Sequence, residues 1–490
     1  MIRIDDAPSL EQVAAKVSKV VETGSRATES LRKSWDLSRG APVYTEAGEY
    51  TTRGWTEWTQ GFQFGNAVYL FDMTGDERML SYGREGTVRQ MASHVSHIGV
   101  HDHGFNNVST YGNLLRLAKE GRLEASEWER NFYELALKLS GAIQAARWTG
   151  ISDGLGFVYT FNGKHSLFSD TIRSMRALAI GHQLGHVLMA EQDKKISLLS
   201  RLLLHAEATA KYNVYFGTGR DSYDIRGRVV HESIFNVTNG VYRCPSTQQG
   251  YSPFTTWTRG LSWILSGYPE QLEWLETITD GDIAGAGVAE LTGFSDKGAV
   301  ERRYLETACA AADFHLATSP TDGIPYWDTG APGLSHLGDY QERPADPFNE
   351  QEPVDSSAAA ISAQGLLRLA RYLERHAPRL SQTGVAVQQE RWPDAPGSEE
   401  EIKNLAERYR SAGLVMANTL FDEPYLSSGN HQGILLHSVY HRPNGWDYTP
   451  DATGVPRGES CMWGDYHLLE LAAYIKREAE GSRYLAFFDI

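Results

Sequence analysis

Apolar residues return along most of this chain at spacings of three and four. Between Glu127 and Trp148 they fall at Phe132, Leu135, Ala136, Leu139, Ala142, Ile143 and Ala146, one face of a helix. Behind Asp355, Ser356 and Ser357, which suit a helix start, the same rule puts Ala359, Ala363, Leu366, Leu369, Ala370 and Leu373 on one side. Comparable runs lie near 7–33, 61–74, 76–95, 108–120, 169–190, 194–213, 256–268, 299–317, 400–420 and 464–478. That makes twelve helices, with no accompanying series of alternating strands. An even number of helices around one core predicts an all-α fold in which helical hairpins close into a ring, an (α/α)6 barrel. No clean repeat runs through the chain, so a solenoid is not expected.

Four long stretches separate the helices, at 98–107, 214–255, 319–355 and 425–463, and they are rich in Gly, Asp and aromatic residues. Loops of that length usually carry function, and their Trp and His content argues against disorder. Segments 269–297 and 378–400 are more polar and poor in aromatics, which predicts peripheral insertions. No linker splits the chain, so its 490 residues are expected to form one domain.

Composition narrows the partners. A formal charge of −16 argues against nucleic acid, because a phosphate-binding surface needs clustered Lys and Arg. An acidic ligand would need a local cationic pocket inside this repelling body. No apolar run approaches the length of a membrane span, and Met1 to Lys19 mixes acidic residues into a short amphipathic pattern instead of a secretory leader. A cytoplasmic protein without membrane contact is expected. Cys244, Cys309 and Cys461 are too few and too scattered for a disulfide framework or a CxxC metal site, and free buried thiols are expected. Twelve Trp and 24 Tyr can fill a core, but they also suit carbohydrate, whose C–H faces pack on flat rings.

Four constellations could carry chemistry. His101-Asp102-His103-Gly104-Phe105 holds a carboxylate in a tight turn, where Asp102 could face a cavity or cap the next helix. The alternating histidines lack an obvious third metal ligand. Asp170 opens a helical run, which suits an N-cap; as a proton donor it would need its pKa raised by desolvation or by a second carboxylate such as Asp102. In Trp257-Thr258-Arg259-Gly260-Leu261-Ser262-Trp263 a cation between aromatic rings can aim at a carboxylate, or pair with a structural Asp. Trp463-Gly464-Asp465-Tyr466, after His437, can be a Gly turn leading into a helix.

Read in order, these segments resemble the unsaturated glucuronyl hydrolases of glycoside hydrolase family 88. The family's HDLGF is matched by His101 to Phe105, its TWARGQAW by Thr256 to Trp263, and its HQGY by Gln248 to Tyr251. Its PYWD, DSSAAAI and WGDY stand at Pro325 to Asp328, Asp355 to Ile361 and Trp463 to Tyr466. The resemblance implies an (α/α)6 barrel with no metal and no organic cofactor. It implies Asp170 as general acid and base, Asp102 as the second essential carboxylate, and His231, Gln249, Trp257, Arg259 and Trp263 around the sugar, with His101 expected beside them. The implied reaction removes a 4,5-unsaturated uronic acid from an oligosaccharide. Related readings are an unsaturated rhamnogalacturonyl hydrolase, a saturated-uronide hydrolase and, from another class, a histidine-dependent sugar isomerase or epimerase. Gln60, Gln63, Gln248 and Leu261 depart from the family pattern, which bears on the sugar and its linkage more than on the reaction.

Overall fold

Two concentric rings of helices build the molecule. The structure, a computed structural model, describes residues 1–54 and 57–488. The inner ring consists of Gln60–Thr74, the segments between His103 and Lys119, those between Thr171 and Gln183, Thr258–Leu275, Ser356–Thr383 and Met462–Ala479. Neighbours in this order touch, and the last closes on the first. The outer ring alternates with it: the segments from Leu10 to Ser34 and from Glu77 to Val95, then Glu127–Ala146, Leu198–Tyr212, Lys297–Thr318 and Glu399–Leu420. This is the expected (α/α)6 barrel.

Outer helices form where the periodicity predicts them, and several start as their sequences dictate, but Glu127–Ala146 does not bury the expected face: Leu135 and Leu139 are exposed, while Tyr133, Leu137, Ser140 and Gly141 are buried. Ser126 caps Glu127–Ala146 and Ser398 caps Glu399–Leu420, each in a reciprocal capping box with Glu129 or Glu401. Inner helices are covered on almost every side: each residue of Thr258–Leu275 is buried. Such helices must neutralise their polar residues internally. Arg173 pairs with Glu270 and Glu470 across three inner helices, and Arg368 pairs with Glu273.

Burial also explains two boundaries that differ from expectation. The predicted helix ending at 268 stops before Pro269, a normal helix breaker. In the fold it runs on through Pro269 to Leu275, so the first seven residues of the 269–297 segment are core, and only the short helices Asp280–Ala286 and Ala289–Thr292 follow as surface structure. Likewise Ser356–Thr383 passes Pro378 and buries Leu380, so the second polar segment starts later than 378.

Among the described residues strand is confined to four small antiparallel sheets. One of them, Ser166–Phe168 with Glu232–Phe235 and Tyr242–Ser246, lies directly before Asp170 and after His231. Among the described residues no helix is long and apolar enough to cross a membrane. Cys309 and Cys461 are buried thiols, but Cys244 is exposed because it sits on the edge strand Tyr242–Ser246, against expectation.

Candidate active site

At one mouth of the barrel the long loops surround a cleft. Asp102 and Asp170, distant in sequence, share it with His101, Trp257, Arg259 and Trp263. Both aspartates stand immediately before short helices, yet neither caps: Asp102 precedes His103–Asn107 and Asp170 precedes Thr171–Ser174 without a side-chain cap bond. The backbone gives the reason. A capping residue is extended, whereas Asp170 has φ −71° and ψ −24°, already helical, so its carboxylate points away from the first turn. The competing structural role for both residues is therefore removed.

Two contacts bring the aspartates together. The Ser174 hydroxyl donates to the His101 carbonyl oxygen at 2.5 Å and accepts from the Gly104 N–H at 3.0 Å, tying the two helix starts. The small sheet does the rest: Ser169 N–H donates to the His231 carbonyl at 2.8 Å, which fixes the strand end from which Asp170 departs.

One atom joins the two carboxylates. His101 Nε2 lies 3.4 Å from Asp170 Oδ1 and 3.7 Å from Asp102 Oδ1. His101 is only 1% exposed, and neither ring nitrogen makes an aligned hydrogen bond among the described residues, so the contacts are charge pairs. Burial alone would discharge the imidazole, but the carboxylates of Asp102 and Asp170 together hold its pKa above the ordinary value. Burial pushes Asp102 above the ordinary carboxylate range, with the charge of Asp170 adding to it and His101 opposing. Burial also acts on Asp170, but His101, with help from His231 and Thr171, outweighs it and leaves Asp170 below the ordinary range. The expected order is thus reversed: Asp102 does not lift Asp170, because His101 stands beside both and lowers Asp170 more than burial raises it.

Gln249 reaches the cleft, as does Gln248, one of the departures from the family pattern. His231 does not line it. It is packed behind, 4.6 Å from the Trp257 ring and 4.4 Å from Phe168, and its Nδ1 accepts from the N–H groups of Gln248 at 3.1 Å and Gln249 at 3.4 Å. Its pKa is pushed down to about 3, by burial first, so it is a neutral support for the glutamine turn.

Arg259 touches the cleft, but both of its terminal nitrogens are engaged. Nη1 donates to Asp355 Oδ2 at 2.5 Å and to the Val439 carbonyl at 2.6 Å; Nη2 donates to Tyr440 O at 2.8 Å and Gln249 Oε1 at 3.0 Å. The guanidinium also lies 4.7 Å from the Trp257 ring and 5.1 Å from Trp463. Arg259 therefore fastens the 439–440 backbone to the barrel, and Asp355 compensates its charge.

Sequence reasoning missed much of the remaining wall, Trp58, Phe161, Tyr440, Asn444 and Trp446, which stand in it with Phe105 of the first constellation. His441 stands with them. The 440–447 turn is folded by Asp447, whose carboxylate accepts from the N–H groups of Tyr440 and His441. Asp465 has a purely structural task, accepting from Ile434 N–H and Leu435 N–H at 2.8 Å each and from Tyr50 Oη–H at 2.6 Å. Gln60 and Gln63 point away from the cleft, to His94 and Tyr82. Among the described residues no group of three His, Cys, Asp or Glu side chains is arranged to hold a metal ion.

No family model matches the chain. An unsaturated glucuronyl hydrolase of Bacillus sp. strain GL1 is 25% identical over 473 residues, covering 93% of this chain and 95% of that protein. One from Formosa agariphila is 21% identical over 420 residues, covering 84% and 78%. The crystal structure of an unsaturated glucuronyl hydrolase from Streptococcus agalactiae superposes with a TM-score of 0.65 at 17% identity, over 99% of both chains. The chain resembles the unsaturated glucuronyl hydrolases from end to end and shares their fold. It therefore carries its two aspartates on a barrel with known counterparts, and the cleft is where the comparison and the geometry meet.

Proposed function

We propose that this chain is a glycoside hydrolase that releases a terminal 4,5-unsaturated uronic acid from an oligosaccharide by adding water across the C4=C5 bond. The observation that carries this reading is the meeting of Asp102 and Asp170 in one aromatic-walled cleft. The full-length likeness to unsaturated glucuronyl hydrolases supports it.

The double bond of such a sugar is a vinyl ether, conjugated through the ring oxygen. A proton delivered to C4 forms a C4–H bond from the π electrons and leaves positive charge on C5 and the ring oxygen. Water attacks C5, loses a proton, and gives a hemiketal. Ring opening then exposes the former anomeric carbon as a hemiacetal-type centre, which expels the rest of the oligosaccharide. One carboxyl group that first gives and then takes a proton suffices, unlike the acid and nucleophile pair of ordinary glycosidases.

Asp170 is assigned that part. It is free of any capping bond and its carboxylate faces the cleft beside His101, where it is disposed to take the proton from the attacking water. Asp102, whose pKa burial raises above the ordinary carboxylate range, is suited to hydrogen-bond a ring hydroxyl in either state. Trp257 and Trp263 offer the flat faces that a sugar ring needs. The localisation expected from the sequence, cytoplasmic, belongs to the same reading.

Unsaturated uronides absorb in the ultraviolet through their enol-carboxylate, and hydration removes the band. Incubation with lyase-generated disaccharides should bleach it, with release of the second sugar in equal amount. Interconversion of free sugars without bleaching would instead identify an isomerase, and release of a saturated uronide would identify an ordinary glycosidase.

A further inference from the structure

His101 is the most enclosed member of the cleft, and the hydration chemistry above does not use it. Its ring is fixed by aromatic neighbours, with Phe161 at 5.7 Å across its face and Phe168 edge-on at 5.6 Å. Its backbone carbonyl is held by Ser174. Neither ring nitrogen has a hydrogen-bond partner among the described residues, and Nε2 lies within 4 Å of both carboxylates. A buried imidazole used only for packing would satisfy its nitrogens with backbone or hydroxyl groups, as His103 does with Ser140 and the His97 carbonyl. His101 has only the aspartates.

We propose that His101 is a positioning residue that stores the reaction's proton and acts through Asp170. In the free enzyme the imidazolium lies between Asp102 and Asp170. When an anionic sugar enters, its carboxylate adds negative charge beside Asp170, and the Nε2 proton passes to Asp170. The N–H bond breaks and an O–H bond forms. Asp170 then gives this proton to C4 and becomes a carboxylate again. It next accepts a proton from the water that bonds to C5, and that proton returns to His101. The balance is one water added to the alkene, with the enzyme restored.

The groups facing His101 agree with a shared proton. Asp102 and Asp170 favour the imidazolium, while burial and the charge of Arg147 oppose it, and the buried His205 and His231, each pushed down to about 3, stand nearby. Arg147 is itself held by the carbonyls of Tyr159 and Thr160 at 2.9 and 2.7 Å. The arrangement is two acids and one base with a single mobile proton, and removal of the base should change when the acids are charged.

This inference rests on the hydrolase reading, and its test separates the two. The wild-type protein and His101→Gln are assayed by loss of the ultraviolet band from pH 4 to 9. In the variant kcat should fall by about 100-fold or more at neutral pH. KM should change little, and the alkaline limb of the kcat profile should move to lower pH by at least a unit, since the proton must then come from a carboxyl group. An unchanged profile, or a loss confined to KM, would overturn the proposal while leaving the hydrolase reading intact. A wild-type protein that bleaches no unsaturated disaccharide would overturn both. Should His101→Gln fail to fold, the wild-type alkaline limb still decides. Its apparent pKa should lie above the ordinary imidazole value of about 6.5 and shift with temperature as an imidazole does. A limb indifferent to temperature, as for a carboxyl, would refute the role.

Discussion

Gly104 packs so closely against Ser174 that a Cβ on it would lie 2.2 Å from the Ser174 carbonyl oxygen and 2.5 Å from its Cα. This approach is what lets the helix after Asp102 start beside the helix after Asp170. The obstacle is backbone, so no side-chain rotation relieves it.

Gly104→Ala should therefore separate the two carboxylates. Overpacking of this kind costs about 1–3 kcal/mol, so the variant should unfold at lower denaturant concentration. Its kcat should fall well beyond what that loss explains, because a shift of about 1 Å in a catalytic group can cost 100-fold. Denaturation curves alongside kcat at a temperature where both proteins are folded would check this. Full activity in a destabilised variant would show that the approach serves folding alone.

Asp170→Asn tests the opposite balance. Since the side chain makes no capping bond, the usual loss of about 0.5–2 kcal/mol for removing a cap should not appear. Turnover should drop by at least about 100-fold, as for loss of a general acid and base. A melting curve and a bleaching assay on the same preparation suffice. A clear drop in Tm with much of the activity kept would return Asp170 to a structural role.

How far these features could be read in advance depends on where each signal lives. The periodicity of Glu127–Ala146 locates an outer helix but not its inward face: Leu135 and Leu139 are exposed, and the buried side includes Gly141, which packs against the Ala177 backbone. The inner helix Thr258–Leu275 is buried all round, so its pattern blurs, and Pro269 suggested an end that burial overrides. Asp102, Asp170 and Trp257 stood inside recognisable motifs. Asn444 and Trp446 did not, because their place on the cleft depends on Asp447 folding the 440–447 turn and on Arg259 holding the backbone before it. No spacing rule encodes a loop folded by distant partners. The reversal between Asp102 and Asp170 was hidden for a related reason: charge order depends on the three-dimensional position of His101, not on its adjacency in sequence.

Arg259→Ala is the variant for which the structure changes the forecast. From the sequence, loss of a contact to the sugar carboxylate would raise KM. In the fold, Arg259 and Asp355 form a buried ion pair, and removing one partner of such a pair costs about 3–5 kcal/mol. The loop fastened by the guanidinium should also loosen, giving faster amide exchange over residues 439–448 in hydrogen-exchange mass spectrometry. If exchange and stability match the wild type while KM rises, Arg259 binds substrate and does not clamp the loop.

Stability should be lost on mild acidification, and the buried histidines say where. His94, His103, His315, His437 and His441 are pushed down to about 4, and His205, His231 and His467 to about 3, in each case chiefly by burial. A histidine with a lowered folded pKa binds fewer protons folded than unfolded. Its stabilisation is complete above the unfolded value of about 6.5 and disappears as pH falls through 6.5 towards 4. The buried carboxyls Asp322, Asp328 and Asp447 are pushed up to about 6, and Asp102, Glu273 and Asp465 are also raised; all act in the opposite sense, as does the raised His101. They stabilise most at low pH and offset part of the loss, but they are fewer. Tm should therefore fall steadily between pH 7 and pH 5, before the ordinary carboxylates titrate. A Tm that holds or rises across that interval would mean that the histidines are hydrated or charged in the native state.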